Sequence, residues 1–301
     1  ADISYAAAVL AWDQEVYMPP KGATRRGRQL ATLATQAHEI LNSEGYGALL
    51  EALEQRREEL NDEEKANVRL SDEDYEKRKK LSPEFVERLS QLTSESFNAW
   101  IAARKQNDFS VFAPALTRMV AMKREQANLY GYTTHPYDAL LDEYEKGATV
   151  AMLDRVFEGI RNSLPQLLEQ IRLAEQVSND CLHQHFPKQQ QWDFGIEVLK
   201  KMGFDFEAGR QDYAAHPFTT SFSPEDVRLT TRVDEHNFAS MLWSCIHEGG
   251  HGLYEQGLPD AQYGLPLGSP VSLGIHESQS RLWENCVGRG QDFWAYFYPL
   301  L

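Results

Sequence analysis

Residues 237–256 read NFASMLWSCIHEGGHGLYEQ and contain the pattern H-E-x-x-H at His247, Glu248 and His251. Residues four apart lie on one face of a helix, so both imidazoles can bind a single ion with Glu248 beside it. The apolar residues before the motif recur at spacings of three and four, which is typical of a helix; they are Phe238, Met241, Leu242, Cys245 and Ile246. The stretch therefore predicts a helix that binds zinc, with Glu248 as the base for a metal-activated water.

Three glycines occupy one turn of this predicted helix, at Gly249, Gly250 and Gly252. Each glycine costs a helix interior up to about 1 kcal/mol relative to alanine. We expect such a cost where function or close packing requires it. The glycines therefore predict that another element approaches this turn closely.

A catalytic zinc needs a third protein ligand and one open position. Glu255 lies eight residues after His247, about 12 Å along a helix axis, which is too far for both to reach one ion. The Gly- and Pro-rich stretch 257–270 can reverse the chain before a second predicted helix at about 272–287. An antiparallel return would bring Glu277 opposite the histidines, with His276 as the alternative ligand.

The rest of the chain predicts a mainly α fold. Residues 1–210 read as helices, and apolar stripes on them, including one from Leu153 to Ile171, are expected to be core. Pro165 is expected to kink or divide that last helix. Thr, Val and aromatic residues between 213 and 233 predict a small β-hairpin, with one strand holding His216.

Composition limits the class of protein. The 301 residues carry 45 acidic and 30 basic side chains, a formal charge of −15, without the basic stripe that follows a nucleic acid backbone. No apolar run approaches the ~18 residues of a membrane helix. The three cysteines are an odd number without repeated spacing, which argues against structural disulfides. We expect a cytoplasmic protein whose partners include neither nucleic acid nor membrane.

The chain resembles the thermostable zinc carboxypeptidase family, the Taq-type metallocarboxypeptidases. The resemblance covers essentially all 301 residues. Besides the H-E-x-x-H helix, it is carried by the stretches Trp12–Glu15, Met18–Pro20, Tyr137–Leu140, Tyr144–Glu145, His216–Phe218, Asp226-x-Arg228-x-Thr230 and His276–Gln279.

This resemblance implies a helical, zincin-like metallopeptidase with a deep central groove, forming a homodimer. It also implies removal of single C-terminal residues from peptides with broad specificity, and Glu277 as the third zinc ligand. Co²⁺ or Mn²⁺ can often occupy similar ligands. On the predicted hairpin, His216 is expected to position substrate backbone and Arg228 to bind or organise carboxylates. Tyr254 is a weaker candidate for a functional role, since an aromatic residue at that helical spacing usually packs.

The chain departs from the family in length. Members usually have about 500 residues and two further C-terminal motifs, Ile-Arg-x-Ala-Asp and Gly-x-x-Gln-Asp-x-His-Trp, whereas this sequence stops at Leu301. We therefore expect residues 1–301 to be a single, incomplete catalytic domain that binds zinc but lacks groups for the substrate's terminal carboxylate. The alternatives are a related helical H-E-x-x-H endopeptidase or dipeptidase, or an inactive zinc-binding fragment.

Overall fold

A computed structural model describes residues 1–301. The mainly helical fold with a small sheet beside the H-E-x-x-H helix is confirmed. The helices are α1 Asp2–Val16, α2 Ala23–Leu41, α3 Glu44–Gln55, α4 Asp62–Arg78, α5 Pro83–Gln106, α6 Ala113–Tyr130, α7 Asp138–Leu141, α8 Val150–Leu173, α9 Lys188–Met202, α10 Phe238–Gln256, α11 Leu273–Arg281 and α12 Gln291–Phe297. The strands are β1 Gly209–Tyr213, β2 Thr219–Ser223 and β3 Asp226–Thr231.

The sheet has the order β1-β3-β2. The predicted hairpin is confirmed as β2 paired antiparallel with β3. Strand β1 was not predicted; it pairs parallel with β3 and leaves β2 at an edge. His216 lies in the loop between β1 and β2, so its predicted place within a strand is wrong. Pro217 accounts for this, because a proline cannot donate a hydrogen bond to a sheet.

Helix α10 is the centre of the largest apolar core. Its buried residues Met241, Leu242, Cys245 and Ile246 pack with residues of α9 and α12. A second core cluster fills the space between α9 and the sheet, through Leu199, Phe204, Val227 and Leu229. Burial on these sides leaves one face of α10 for the two motif histidines.

Helix α8 contradicts the prediction that its apolar stripe is core. The helix continues through Pro165, so of the predicted kink or division the division is absent, and none of its residues is buried. The stripe expected to be core is half-exposed instead, at Val156, Phe157, Ile160, Leu164, Leu167 and Ile171. No other element of the 301 residues packs extensively on this helix. The apolar pattern was read correctly as amphipathic, but a stripe does not specify which surface covers it.

Candidate metal centre

The start of α10 sets the direction of the motif helix. The side chain of Asn237 accepts a hydrogen bond from the backbone N–H of Ser240, which caps an otherwise unpaired donor. His247 and His251 follow on the partly exposed face, and their ring centroids lie 4.9 Å apart. The spacing therefore places both imidazoles together, as predicted.

Other elements approach the glycines of α10 closely, as the sequence predicted. A Cβ on Gly250 would lie 2.7 Å from the Cα of Ser280, a backbone atom of α11. A Cβ on Gly249 would lie 2.5 Å from the Leu199 side chain, and one on Gly252 would lie 2.8 Å from Leu229. Close packing on three sides explains why this turn lacks side chains, and Gly250 in particular lets α11 approach.

Helix α11 brings Glu277 to the histidines. Its Oε2 lies 3.6 Å from Nε2 of His247 and 3.5 Å from Nε2 of His251, and one ligand atom from each of the three residues lies within 4.8 Å of the others. Bonds of about 2.1 Å to a tetrahedral ion separate two ligand atoms by about 3.4 Å. The three predicted ligands therefore fit one divalent ion.

The protonation states also suit a metal. Burial, followed by the charges of His276 and His247, lowers the pKa of His251 to about 4, so this imidazole is neutral at physiological pH. Burial acts to raise the pKa of Glu277, but the hydrogen bond from Arg281 and the neighbouring positive charges lower it overall. A neutral imidazole and an ionised carboxylate are the forms that coordinate metals.

Glu248 lies beside this group with only 6% of its surface exposed. The hydroxyl of Thr219, from edge strand β2, donates a 2.7 Å hydrogen bond to its Oε2. Burial raises the pKa of Glu248, and the hydrogen bond from Thr219 partly opposes this effect. A carboxylate whose pKa moves toward neutrality becomes a stronger base.

The two candidate substrate residues differ in their surroundings. His216 is exposed, has its Nδ1 2.7 Å from the carbonyl oxygen of Pro217, and is close enough for its charge to lower the pKa of Glu248. Arg228 donates a 2.8 Å hydrogen bond to Asp226 and lies 4.4 Å above the ring of Trp12. His216 is therefore near enough to Glu248 to act on its charge, whereas Arg228 is engaged in an ion pair and a cation–π contact.

Three further residues near the motif do not join the ligand group. His276 and Glu255 are paired with each other at 2.7 Å, in agreement with the exclusion of Glu255 from the ligands. The hydroxyl of Tyr254 accepts a hydrogen bond from the backbone N–H of Val271, and its ring packs on His276. Tyr254 therefore packs on the loop before α11 and on the wall of the site.

Sequence reasoning missed Glu284. Its Oε2 accepts a hydrogen bond from Nδ1 of His247 at 2.9 Å, the arrangement by which carboxylates commonly orient metal-binding histidines. Burial acts to raise its pKa, but hydrogen bonds from Arg289 and His247 lower it overall. Glu284 lies seven residues after Glu277, a spacing of two helical turns that could have indicated it. It belongs to a π-helical segment, Leu282–Val287, that continues α11.

A cavity of about 900 Å³ is lined in part by Thr219, the hydrogen-bond partner of Glu248, and by His276, which contacts His251. Residues of β2, α4 and the segment before α11 line it, together with Glu255 and His276. No helix of the protein is both long and apolar enough to cross a bilayer. The cavity therefore lies next to residues that contact Glu248 and His251, one of the three candidate metal ligands.

Comparison with known proteins agrees with this geometry. The family model described as "Carboxypeptidase Taq (M32) metallopeptidase" matches residues 1–301. Thermostable carboxypeptidase 1 of Thermus thermophilus is 39% identical over 97% of this chain and 60% of its own length. Carboxypeptidase 1 of Bacillus subtilis is 35% identical over 98% of this chain and 59% of its own length. The crystal structure of the M32 carboxypeptidase from Deinococcus radiodurans superposes with a TM-score of 0.88 at 38% identity, over 99% of this chain and 60% of that one.

The chain thus spans about 60% of the length of the curated relatives that it matches. The residues that the family model matches include the H-E-x-x-H helix and Glu277. The chain belongs to the carboxypeptidase Taq (M32) metallopeptidase family.

Proposed function

We propose that this chain is the catalytic part of a zinc-dependent carboxypeptidase that removes single residues from peptide C-termini with broad specificity. The observation that carries this proposal is the meeting of His247, His251 and Glu277 beside the buried carboxylate of Glu248. Two imidazoles and one carboxylate are a common ligand set of catalytic zinc, which keeps a fourth position open. Co²⁺ or Mn²⁺ can use the same donors.

A bound divalent ion would lower the pKa of water and so supply a nucleophile at neutral pH. Glu248 would take the proton from this water as it attacks the scissile carbonyl, and would then deliver the proton to the leaving amine. The hydroxyl of Thr219 holds Oε2 of Glu248, which leaves Oε1 for the transferred proton. The ion would be held by His247, His251 and Glu277, and these ligands would thereby fix where the water attacks the scissile carbonyl.

The cleft suits an extended peptide. Thr219, Thr220 and Ser221 of the edge strand β2 line the cavity, and the backbone of an edge strand can pair with an added strand. We propose His216, in the loop that leads into this strand, for contact with substrate backbone. Arg228 is the weaker candidate because it already pairs with Asp226.

The cavity also favours a second candidate, a zinc-binding chain with little activity. A carboxypeptidase must hold the substrate's terminal carboxylate, and such positioning can contribute several kcal/mol to the rate. The three cations that line the cavity are already paired with carboxylates: Lys77 with Asp142, Arg78 with Asp74 and Lys146 with Glu73. We therefore expect this chain to bind zinc yet to have a kcat/KM far below that of the T. thermophilus relative.

The decisive variant is Glu248→Gln, which has nearly the same shape but cannot take a proton. Zinc content, measured by plasma emission, should stay at one per chain, while hydrolysis of a blocked dipeptide with a free C-terminus should disappear. Glu158→Gln, on the exposed surface of α8, serves as the control and should behave as the parent chain. Turnover retained by Glu248→Gln would exclude Glu248 as the base.

Two further assays separate the alternatives. A peptide with an amidated C-terminus should resist hydrolysis, whereas cleavage of it would indicate an endopeptidase. Glu277→Ala should lose zinc, and full retention would remove Glu277 from the ligands.

We also propose a homodimer in the cytoplasm, and sedimentation equilibrium of the zinc-loaded chain tests the dimer.

A further inference from the structure

A chain of hydrogen-bonded side chains leads away from His251 on the side opposite Glu277. Nδ1 of His251 lies 2.5 Å from Nδ1 of His276, and Nε2 of His276 lies 2.7 Å from Oε1 of Glu255. The hydroxyl of Ser221 donates a 2.7 Å hydrogen bond to the other oxygen of Glu255. Glu255 is only 9% exposed, so this carboxylate is held by the protein rather than by solvent.

The direction of these hydrogen bonds follows from the metal site. His251 turns its Nε2 toward Glu277, so a metal ligand at this nitrogen requires the proton on Nδ1. That proton can only be donated to Nδ1 of His276, which must then carry its own proton on Nε2. Nε2 of His276 in turn donates to Glu255, an ionised carboxylate that can only accept.

The opposite direction fails at both ends. A proton on Nδ1 of His276 donated to His251 would move the His251 proton to Nε2 and block coordination. It would also leave the unprotonated Nε2 of His276 facing an oxygen of Glu255 at 2.7 Å, where two lone pairs repel. With Glu255 ionised, only the first direction pairs a donor with an acceptor at every contact.

We propose that Glu255 and His276 are positioning residues that hold His251 in the tautomer whose Nε2 is free for the metal. This inference rests on the proposed metal site. It assigns His251 an indirect carboxylate partner, reached through an imidazole, whereas His247 meets the carboxylate of Glu284 directly.

Packing holds the intermediate imidazole in place. The ring of His276 lies 4.6 Å from that of His251 and 5.1 Å from that of Tyr254, and its side chain is 12% exposed. His251 and Glu255 are one turn apart on α10, while His276 comes from α11, directly before Glu277. The chain of hydrogen bonds therefore also ties the helix of the third ligand to the helix of the first two.

The test compares two substitutions of His276 by zinc titration against a chromophoric chelator. In His276→Leu no group accepts the His251 proton, and the zinc Kd should rise by about 10- to 100-fold. In His276→Asn the side-chain oxygen takes the place of Nδ1 and still accepts, so the Kd should rise by less than about 10-fold. His185→Leu, at an exposed histidine of the loop after α8, is the control and should leave the Kd unchanged.

A second readout separates positioning from a purely structural role. In ¹⁵N-histidine NMR spectra of the zinc-loaded parent chain, His251 should carry its proton on Nδ1, and this proton should exchange faster with water in His276→Leu. Unfolding of the metal-free chain should be nearly equal in the Asn and Leu variants.

The proposal is overturned by a parental zinc Kd in His276→Leu. It is also overturned by equal zinc loss in the Leu and Asn variants accompanied by equal loss of metal-free stability. Failure of the parent chain itself to bind zinc would instead refute the proposed function.

Discussion

Gly250→Ala should weaken metal binding although alanine favours helices. The added Cβ would lie 2.7 Å from Cα of Ser280 and 2.9 Å from the carbonyl oxygen of Gln279, both in the backbone of α11. Ordinary contact begins at 3.4 Å, so α11 must move by about 0.7 Å. Overpacking of this kind costs about 1–3 kcal/mol, against up to about 1 kcal/mol from helix propensity.

The same displacement acts on Glu277, which α11 carries. Metal-ligand distances tolerate only about 0.2 Å, so zinc binding must return α11 to its original place. If that return costs the full overpacking energy, the zinc Kd rises by about 5- to 150-fold, since about 1.4 kcal/mol corresponds to tenfold.

Zinc titration and urea unfolding of the metal-free chain check this prediction. Gly249→Ala is the matched comparison, because its Cβ meets the side chains of Leu199 and Met202 rather than backbone. It should lower stability with a smaller change in zinc Kd. Gly45→Ala, with nothing within 4 Å, should raise stability by about 0.4–1 kcal/mol. A parental zinc Kd for Gly250→Ala would refute the role of close helix packing in placing Glu277.

Three shorter predictions follow from burial and hydrogen bonding. Burial raises the pKa of the Cys245 thiol to about 12. At pH 8 a thiol reagent should therefore label the two exposed cysteines rapidly and Cys245 only on unfolding. Labelling of three thiols in the folded chain would contradict this packing. The double substitution Phe157→Ser with Leu164→Gln should reduce concentration-dependent light scattering with little change in the free energy of unfolding, because both side chains are more than 40% exposed. Unchanged scattering would show that α8 does not drive association. Glu284→Gln should raise the zinc Kd by about 10- to 100-fold, and a parental value would remove it from the support of His247.

Several features were predictable because they depend on local geometry. The spacing of His247 and His251 requires only one helical turn, and the apolar pattern before them identifies the helix without knowledge of its neighbours. Glycines in the same turn indicated close packing, and the contacts of Gly250 with α11 show where it occurs. The hairpin of β2 and β3 was equally local, since a short turn joins its strands.

Features that join distant segments were predicted incompletely or missed. Strand β1 pairs in parallel with β3, so no short turn signals it. The stripe on α8 has the pattern of a core helix, yet its partner surface is not contained in that pattern. The carboxylates that support the two histidines come from separate elements: Glu255 on α10 acts through His276, and Glu284 lies after α11.

The sequence by itself determined the family, the motif helix and the identity of the three candidate ligands. Only the tertiary structure decided how His251 and His247 are supported, that Arg228 is already paired with Asp226, and which apolar stripe stays exposed. The physical reason is that helical periodicity is set by backbone geometry within a few residues. The distance between side chains on different helices instead depends on how closely the backbones pack, here through the missing side chain of Gly250.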